Sequence, residues 1–170
     1  ISFKTVSPLS VYSDIWNDIK YSKCNTAAHA DYMSEDEKNT IYILNLIRTN
    51  PALFANTVLK KYPSMSGNDH LATDAYYFLS LVNTLKQMDP LGLLYPDKTC
   101  FESAQCHAAS SGMAGYAGHK RINRDCEKKK LYNGECCDYG HKDPLEIILS
   151  LLIDEGVPSL GHRNIFLNSY

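Results

Sequence analysis

Six histidines and six cysteines, with a scatter of acids, are the groups in this chain best suited to chemistry. The histidines are His29, His70, His107, His119, His141 and His162. His107 lies among small residues, Ala104, Ala108 and Ala109, which leave room for a cleft above its face. Ser110 and Ser111 follow three and four residues on, so either hydroxyl can share a helix face with the imidazole. The plain alternative is a helix histidine hydrogen-bonded to a neighbour. Glu135, in Gly134-Glu135-Cys136-Cys137, sits where a glycine turn meets a candidate strand, or else is a loop carboxylate in water. Asp154 ends an apolar run, where a negative charge opposes the helix dipole, so something else is expected to hold it. Glu155 is the exposed alternative beside it. His162 follows a turn that runs from Gly156 through Pro158 to Gly161.

Several familiar chemistries are missing. The chain has no His-Glu-x-x-His, no phosphate-binding loop, no Gly-x-Gly-x-x-Gly after a strand and no Gly-x-Ser-x-Gly elbow. A net charge of -2 gives no broad field for a phosphate backbone, and Lys128-Lys129-Lys130 reads as a solvated loop, so nucleic acid is not an expected partner. The apolar run Ile147 to Ile153 is interrupted by Ser150 and is too short to span a bilayer. The start at Ile1 without methionine suggests a mature or trimmed form and hints at export.

The cysteines are Cys24, Cys100, Cys106, Cys126, Cys136 and Cys137, with no Cys-x-x-Cys among them. That spacing favours three disulfides and an oxidising compartment over a zinc ribbon. Cys126 to Cys136 is an expected closure across Glu127–Gly134, and adjacent Cys136 and Cys137 are expected to pair with different partners. His141 near that pair keeps a metal cluster as the alternative.

These groups must be positioned by the surrounding elements. Residues 1–33 read as an arm packed on the body through Val11, Ile15, Trp16 and Ile19, with Cys24 as a staple. A capping box at Ser34-Glu35-Asp36-Glu37 starts a helix with Ile43, Leu46 and Ile47 on one face. Asn50-Pro51 breaks it and opens another, with Phe54 and Val58 inward. After a loop from Tyr62 to Asp69, Ala75, Phe78, Leu79, Val82 and Leu85 mark a helix that ends before Asp89-Pro90. A further helix covers Cys100 to about Met113, and a short strand is expected over Glu135–Tyr139. Asp143, Pro144 and Glu146 supply the cap, first-turn proline and N3 acid of a last helix ending near Ile153, which gives Glu146 a capping role. One domain over residues 34–170 is expected.

The order of Leu44-Asn45-Leu46-Ile47-Arg48-Thr49-Asn50-Pro51, Ala104-Gln105-Cys106-His107-Ala108, Gly118-His119, Gly134-Glu135, Glu146-Ile147-Ile148 and Gly161-His162-Arg163-Asn164-Ile165 resembles the CAP superfamily, in particular its bacterial SCP-like extracellular branch. The resemblance implies an α+β fold, the CAP-type α-β-α sandwich, here helix-rich with a small or truncated central sheet because the chain stops at Tyr170. It implies a secreted protein with a cleft of two histidines and two acids. His107 matches the helix histidine, His162 the histidine of the Gly-His motif, and Glu135 the family's Gly-Glu-Asn glutamate, with Cys136 in place of the asparagine. Asp154 is assigned as the second acid, ahead of Glu155 and Glu146.

Two neutral imidazoles in one cleft would bind a divalent metal, zinc first, with Glu135 and Asp154 as direct ligands or as acids that orient the site. The implied function is metal binding with a small or lipid ligand, or contact with an extracellular partner, without defined catalysis. The alternatives are a protease- or esterase-like hydrolase using Ser110 or Ser111, which lacks an evident oxyanion hole, and an interaction module with a vestigial cleft.

Overall fold

A computed structural model describes residues 6–65, 67–68, 75–131 and 134–168. His70 and Asp69, the far end of the expected 62–69 loop, lie outside these residues. Seven α-helices are seen among them: α1 (Glu35–Thr49), α2 (Pro51–Phe54), α3 (Tyr76–Gln87), α4 (Lys98–Ala114), α5 (Arg124–Lys128), α6 (Pro144–Ile153) and α7 (Gly161–Phe166). A π-turn, Ala55–Leu59, continues α2.

No strand or sheet is present among the described residues, so the expected α-β-α sandwich is replaced by an all-helical fold. Glu135–Tyr139, expected as a strand, has no ladder partner. It is bracketed by Gly134 and Gly140, with φ of 121° and 104°, a backbone that turns the chain out of extended geometry at both ends.

The helices start where local chemistry dictates. Ser34 accepts from the Glu37 N–H at 3.3 Å while the Glu37 carboxylate takes the Ser34 N–H at 2.7 Å, the reciprocal capping box. Asn50 caps α2 through the Leu53 N–H with Pro51 in its first turn. Asp143 accepts from the N–H groups of Leu145 and Glu146 and starts α6, so in this cap Glu146 contributes its backbone N–H.

α1 and α6 pack face to face, with α3 and α2 completing the group. Leu46, Ile47, Phe54, Leu81, Leu85, Ile148 and Leu152 are fully buried between them. At roughly 2 kcal/mol for each large apolar side chain removed from water, this cluster is the main source of stability. The N-terminal segment joins it through Leu9, Tyr12, Trp16, Tyr21 and Cys24. Val11, Ile15 and Ile19 are exposed instead, because the segment winds as 3-10 turns (Asp14–Asn17 and Ile19–Cys24) and a four-residue spacing does not hold one face there. Leu79 of α3 is likewise exposed, and Leu81 takes the buried position.

The disulfide that forms joins Cys106 of α4 to Cys126 of α5, not Cys126 to Cys136. Cys24, Cys100, Cys136 and Cys137 are free thiols, so Cys24 packs in the core rather than acting as a staple. The Cys136 sulfur lies 3.9 Å from the His162 carbonyl.

Candidate functional site

α4 is unlike the core helices. Its buried positions are Ser103, His107, Ser110 and Ser111, a polar stripe at helical spacing where an apolar one would be usual. Buried polar groups are tolerated when hydrogen-bonded, and here they are. His107 Nε2 lies 2.9 Å from the Gly118 carbonyl and Nδ1 3.1 Å from the Ser111 hydroxyl. A carbonyl only accepts, so Nε2 carries the proton and Nδ1 accepts from Ser111. Gly118 has φ of 135°, and a Cβ there would meet the Tyr116 hydroxyl at 2.8 Å, so the position requires glycine.

Beyond Gly118, the side chains of His119 and Arg121 both reach Glu135. Arg121 has a side chain 1% exposed and forks onto Glu135, Nη1 to Oε2 at 2.9 Å and Nη2 to Oε1 at 2.5 Å. Its Nε is the one buried side-chain N or O atom without a partner among the described residues. The guanidinium, with His119 helping, holds the Glu135 carboxyl well below its usual 4.5, at about 2, against the opposing effect of partial burial. His119 places Nδ1 2.9 Å from Glu135 Oε2 and 3.7 Å from the Cys137 sulfur.

The second half comes from the α6–α7 connection. Asp154 is the C-cap of α6 in the left-handed region, φ 58°, which an aspartate tolerates better than most residues. Its carboxylate, 1% exposed, accepts from His162 Nδ1 at 2.7 Å and from the His162 backbone N–H at 3.0 Å. The charge at the end of α6 is therefore held by the start of α7. Arg163 locks the junction, donating to the carbonyls of Leu152 (2.6 Å), Ile153 (2.8 Å) and Tyr77 (3.0 Å) and to Ser80 Oγ (2.9 Å). Those bonds satisfy carbonyls that a helix end leaves open.

The His119 and His162 rings are neighbours, with centroids 6.5 Å apart and planes tilted by 32°. Each gives its Nδ1 proton to a carboxylate, which fixes the tautomer and leaves Nε2 as a lone-pair donor. Neither Nε2 has a partner among the described residues.

Two cavities of about 410 Å³ each flank this line of groups. One is lined by His162, Asp154, Glu155, Glu146, His141 and Asp138, the other by Ala104, His107, Ala108, Ser111, Gly112 and Glu135. Cys137 to Tyr139 forms a wall common to both. His107, Glu135 and Cys137 offer a nitrogen, an oxygen and a sulfur all within 4.8 Å of one another, a group that could hold a metal ion. Each of the three is otherwise committed: both His107 nitrogens are bonded, the ionised Glu135 is paired with Arg121, and burial with the nearby Glu135 pushes the Cys137 thiol up. Burial likewise raises the Cys136 thiol to about 12.

Of the residues singled out in the sequence, the structure brings His107 near Glu135 (3.9 Å) and His162 onto Asp154 (2.7 Å), and His119, not a candidate there, lies between the two pairs. Glu155 is exposed and lines a cavity without a bond to either imidazole. Ser110 donates to the His107 backbone carbonyl at 3.1 Å, whereas Ser111 reaches the ring. Sequence reasoning quoted His119 only within the Gly118-His119 motif, without a site role, and did not name Arg121. Their two-residue spacing after the glycine-rich turn was the available signal, since residues two apart share a side in an extended chain. Comparison with protein-family models, curated proteins and solved structures finds no match.

Proposed function

We propose that this protein binds a divalent metal ion, zinc first, between His119 and His162, with Glu135 and Asp154 orienting the two rings. The observation that carries this reading is the double carboxylate–imidazole pairing, at 2.9 and 2.7 Å, on two neighbouring rings with centroids 6.5 Å apart and Nε2 without a partner among the described residues. Acids bonded to the far nitrogen raise ligand basicity and fix its direction, as in protein zinc sites generally. A Zn–N bond of about 2.0–2.1 Å puts two tetrahedral imidazoles with centroids about 5 Å apart. The observed 6.5 Å calls for a closing movement of about 1 Å or a little more, and His119, whose side chain is 54% exposed, has room to make it. His107 then braces the site by holding the Gly118 carbonyl next to His119.

The motif order that resembles the CAP superfamily also points to a cleft of histidines and acids, but it pairs His162 with His107 rather than His119, and the sandwich fold is no part of the reading. A disulfide fits an extracytoplasmic protein, and no helix among the described residues is long and apolar enough to cross a membrane. The cavity walled by Ala104, Ala108, Gly112 and Ala117 suits a small or lipid ligand beside the metal.

Calorimetric titration of zinc into wild type, His119→Ala, His162→Ala and Cys137→Ser tests the assignment. Each histidine variant is expected to lose about 100-fold or more in affinity, and the serine variant to stay near wild type. Wild-type affinity in both histidine variants would sink the reading.

A further inference from the structure

We propose that Ser111 and His107 form a nucleophile–base pair that hydrolyses small, uncharged esters bound in the cavity lined by Ala104, Ala108 and Gly112. This activity uses neither of the metal-binding imidazoles, His119 and His162, although it shares Glu135 with that site.

The hydrogen-bond directions carry it. His107 gives its Nε2 proton to the Gly118 carbonyl at 2.9 Å, so Nδ1 faces Ser111 as a base, 3.1 Å from the hydroxyl. A nucleophile needs a base within hydrogen-bond reach, and the base needs a third group that fixes its tautomer. Gly118 is that third group. It is itself held, its N–H donating to the Tyr139 hydroxyl at 2.7 Å and its carbonyl accepting from that hydroxyl at 3.3 Å. Glu135 Oε2 lies 3.9 Å from His107 Nε2, where its negative charge stabilises the imidazolium that forms when the proton arrives. Ser111, His107 and Glu135 all line the same cavity.

The cavity supports the substrate class. Its volume of about 410 Å³ suits a short acyl chain with a small leaving group. Small apolar walls, and a carboxylate already paired with Arg121, favour a neutral ligand over an anion. The polar stripe on α4 also gains a purpose, since Ser111 and His107 are buried where core packing would call for apolar side chains.

In the reaction, Ser111 Oγ attacks the ester carbonyl carbon and its proton passes to His107 Nδ1. The carbon–alkoxide bond then breaks, and the alkoxide leaves with that proton as an alcohol. Water attacks the acyl-serine, giving its proton to His107. The acyl–Oγ bond breaks, the carboxylic acid departs and the proton returns to Ser111. Ester and water become acid and alcohol, with no further reactant.

The test combines a fluorophosphonate probe with hydrolysis of p-nitrophenyl butyrate, both with a metal chelator present so that the outcome is independent of the metal site. Mass spectrometry of the labelled wild-type protein is expected to place the probe on Ser111. Ser111→Ala, its fold checked by circular dichroism, is expected to lose about 100-fold or more in hydrolysis. Ser110→Ala, whose hydroxyl serves a backbone carbonyl, is expected to keep both label and rate within about threefold of wild type. A wild-type protein that neither labels at Ser111 nor hydrolyses the ester overturns the proposal, as does label or full activity that survives Ser111→Ala.

Discussion

Glu135 is where three cationic or polar groups converge, and Arg121 decides its state. With its side chain almost wholly buried, the guanidinium has no other carboxylate within hydrogen-bond reach among the described residues, and its two Nη atoms both reach Glu135. Removing one member of a fully buried pair costs about 3–5 kcal/mol. Glu135 keeps 24% of its side chain in contact with water, so Arg121→Met is expected to cost less, about 2 kcal/mol, in urea unfolding at pH 7. The pH dependence has a definite sign. Because Glu135 is held at about 2 rather than 4.5, its pairing contributes fully above pH 4.5 and is lost as the pH falls from there toward about 2. The gap between Arg121→Met and wild type is therefore expected to close over that range, and a gap unchanged by acid would show that Glu135 is not the group responsible. Glu135 and His162 became candidates through the resemblance, since taken alone each reads as a loop residue. His119 and Arg121 were legible only as neighbours of a glycine, because the partner that gives them meaning lies 16 and 14 residues away.

At the scale of elements, the α6–α7 junction does the positioning. Asp154 ends one helix and anchors the first turn of the next, so a single carboxylate sets both the backbone corner and the imidazole. Asp154→Asn retains a side chain that tolerates φ of 58° and an acceptor for the His162 N–H, while it removes the charge that polarises the ring. Zinc affinity is expected to fall about 10–100-fold while thermal stability drops by only about 1 kcal/mol. Equal affinity in variant and wild type would mean the carboxylate serves only the turn. The starts of α1, α2 and α6 were readable because a cap and its partner lie within three residues. The 3-10 winding of the N-terminal segment was not, since its exposed valine and isoleucines copy an α-helical spacing. α5 and α7, five and six residues long, are too short for periodicity to register.

For the whole molecule, the apolar faces of α1, α3 and α6 were visible in the sequence, and they do form the core. The central sheet was not a reading of periodicity; it came with the resemblance, and the residues offered only the five from Glu135 to Tyr139 between two glycines. A strand needs a partner to satisfy its backbone, and none is available among the described residues. The chain instead spends that segment as a wall between two cavities, with the two acid-bonded imidazoles meeting beside it. Whether a metal sits between those rings or beside Cys137 is read most directly by X-ray absorption at the zinc edge on the loaded protein. The expected shell holds nitrogen and oxygen at about 2.0–2.1 Å with outer scattering from two imidazoles and no sulfur. A sulfur at about 2.3 Å would move the ion to His107, Glu135 and Cys137 and contradict the pairing of His119 with His162.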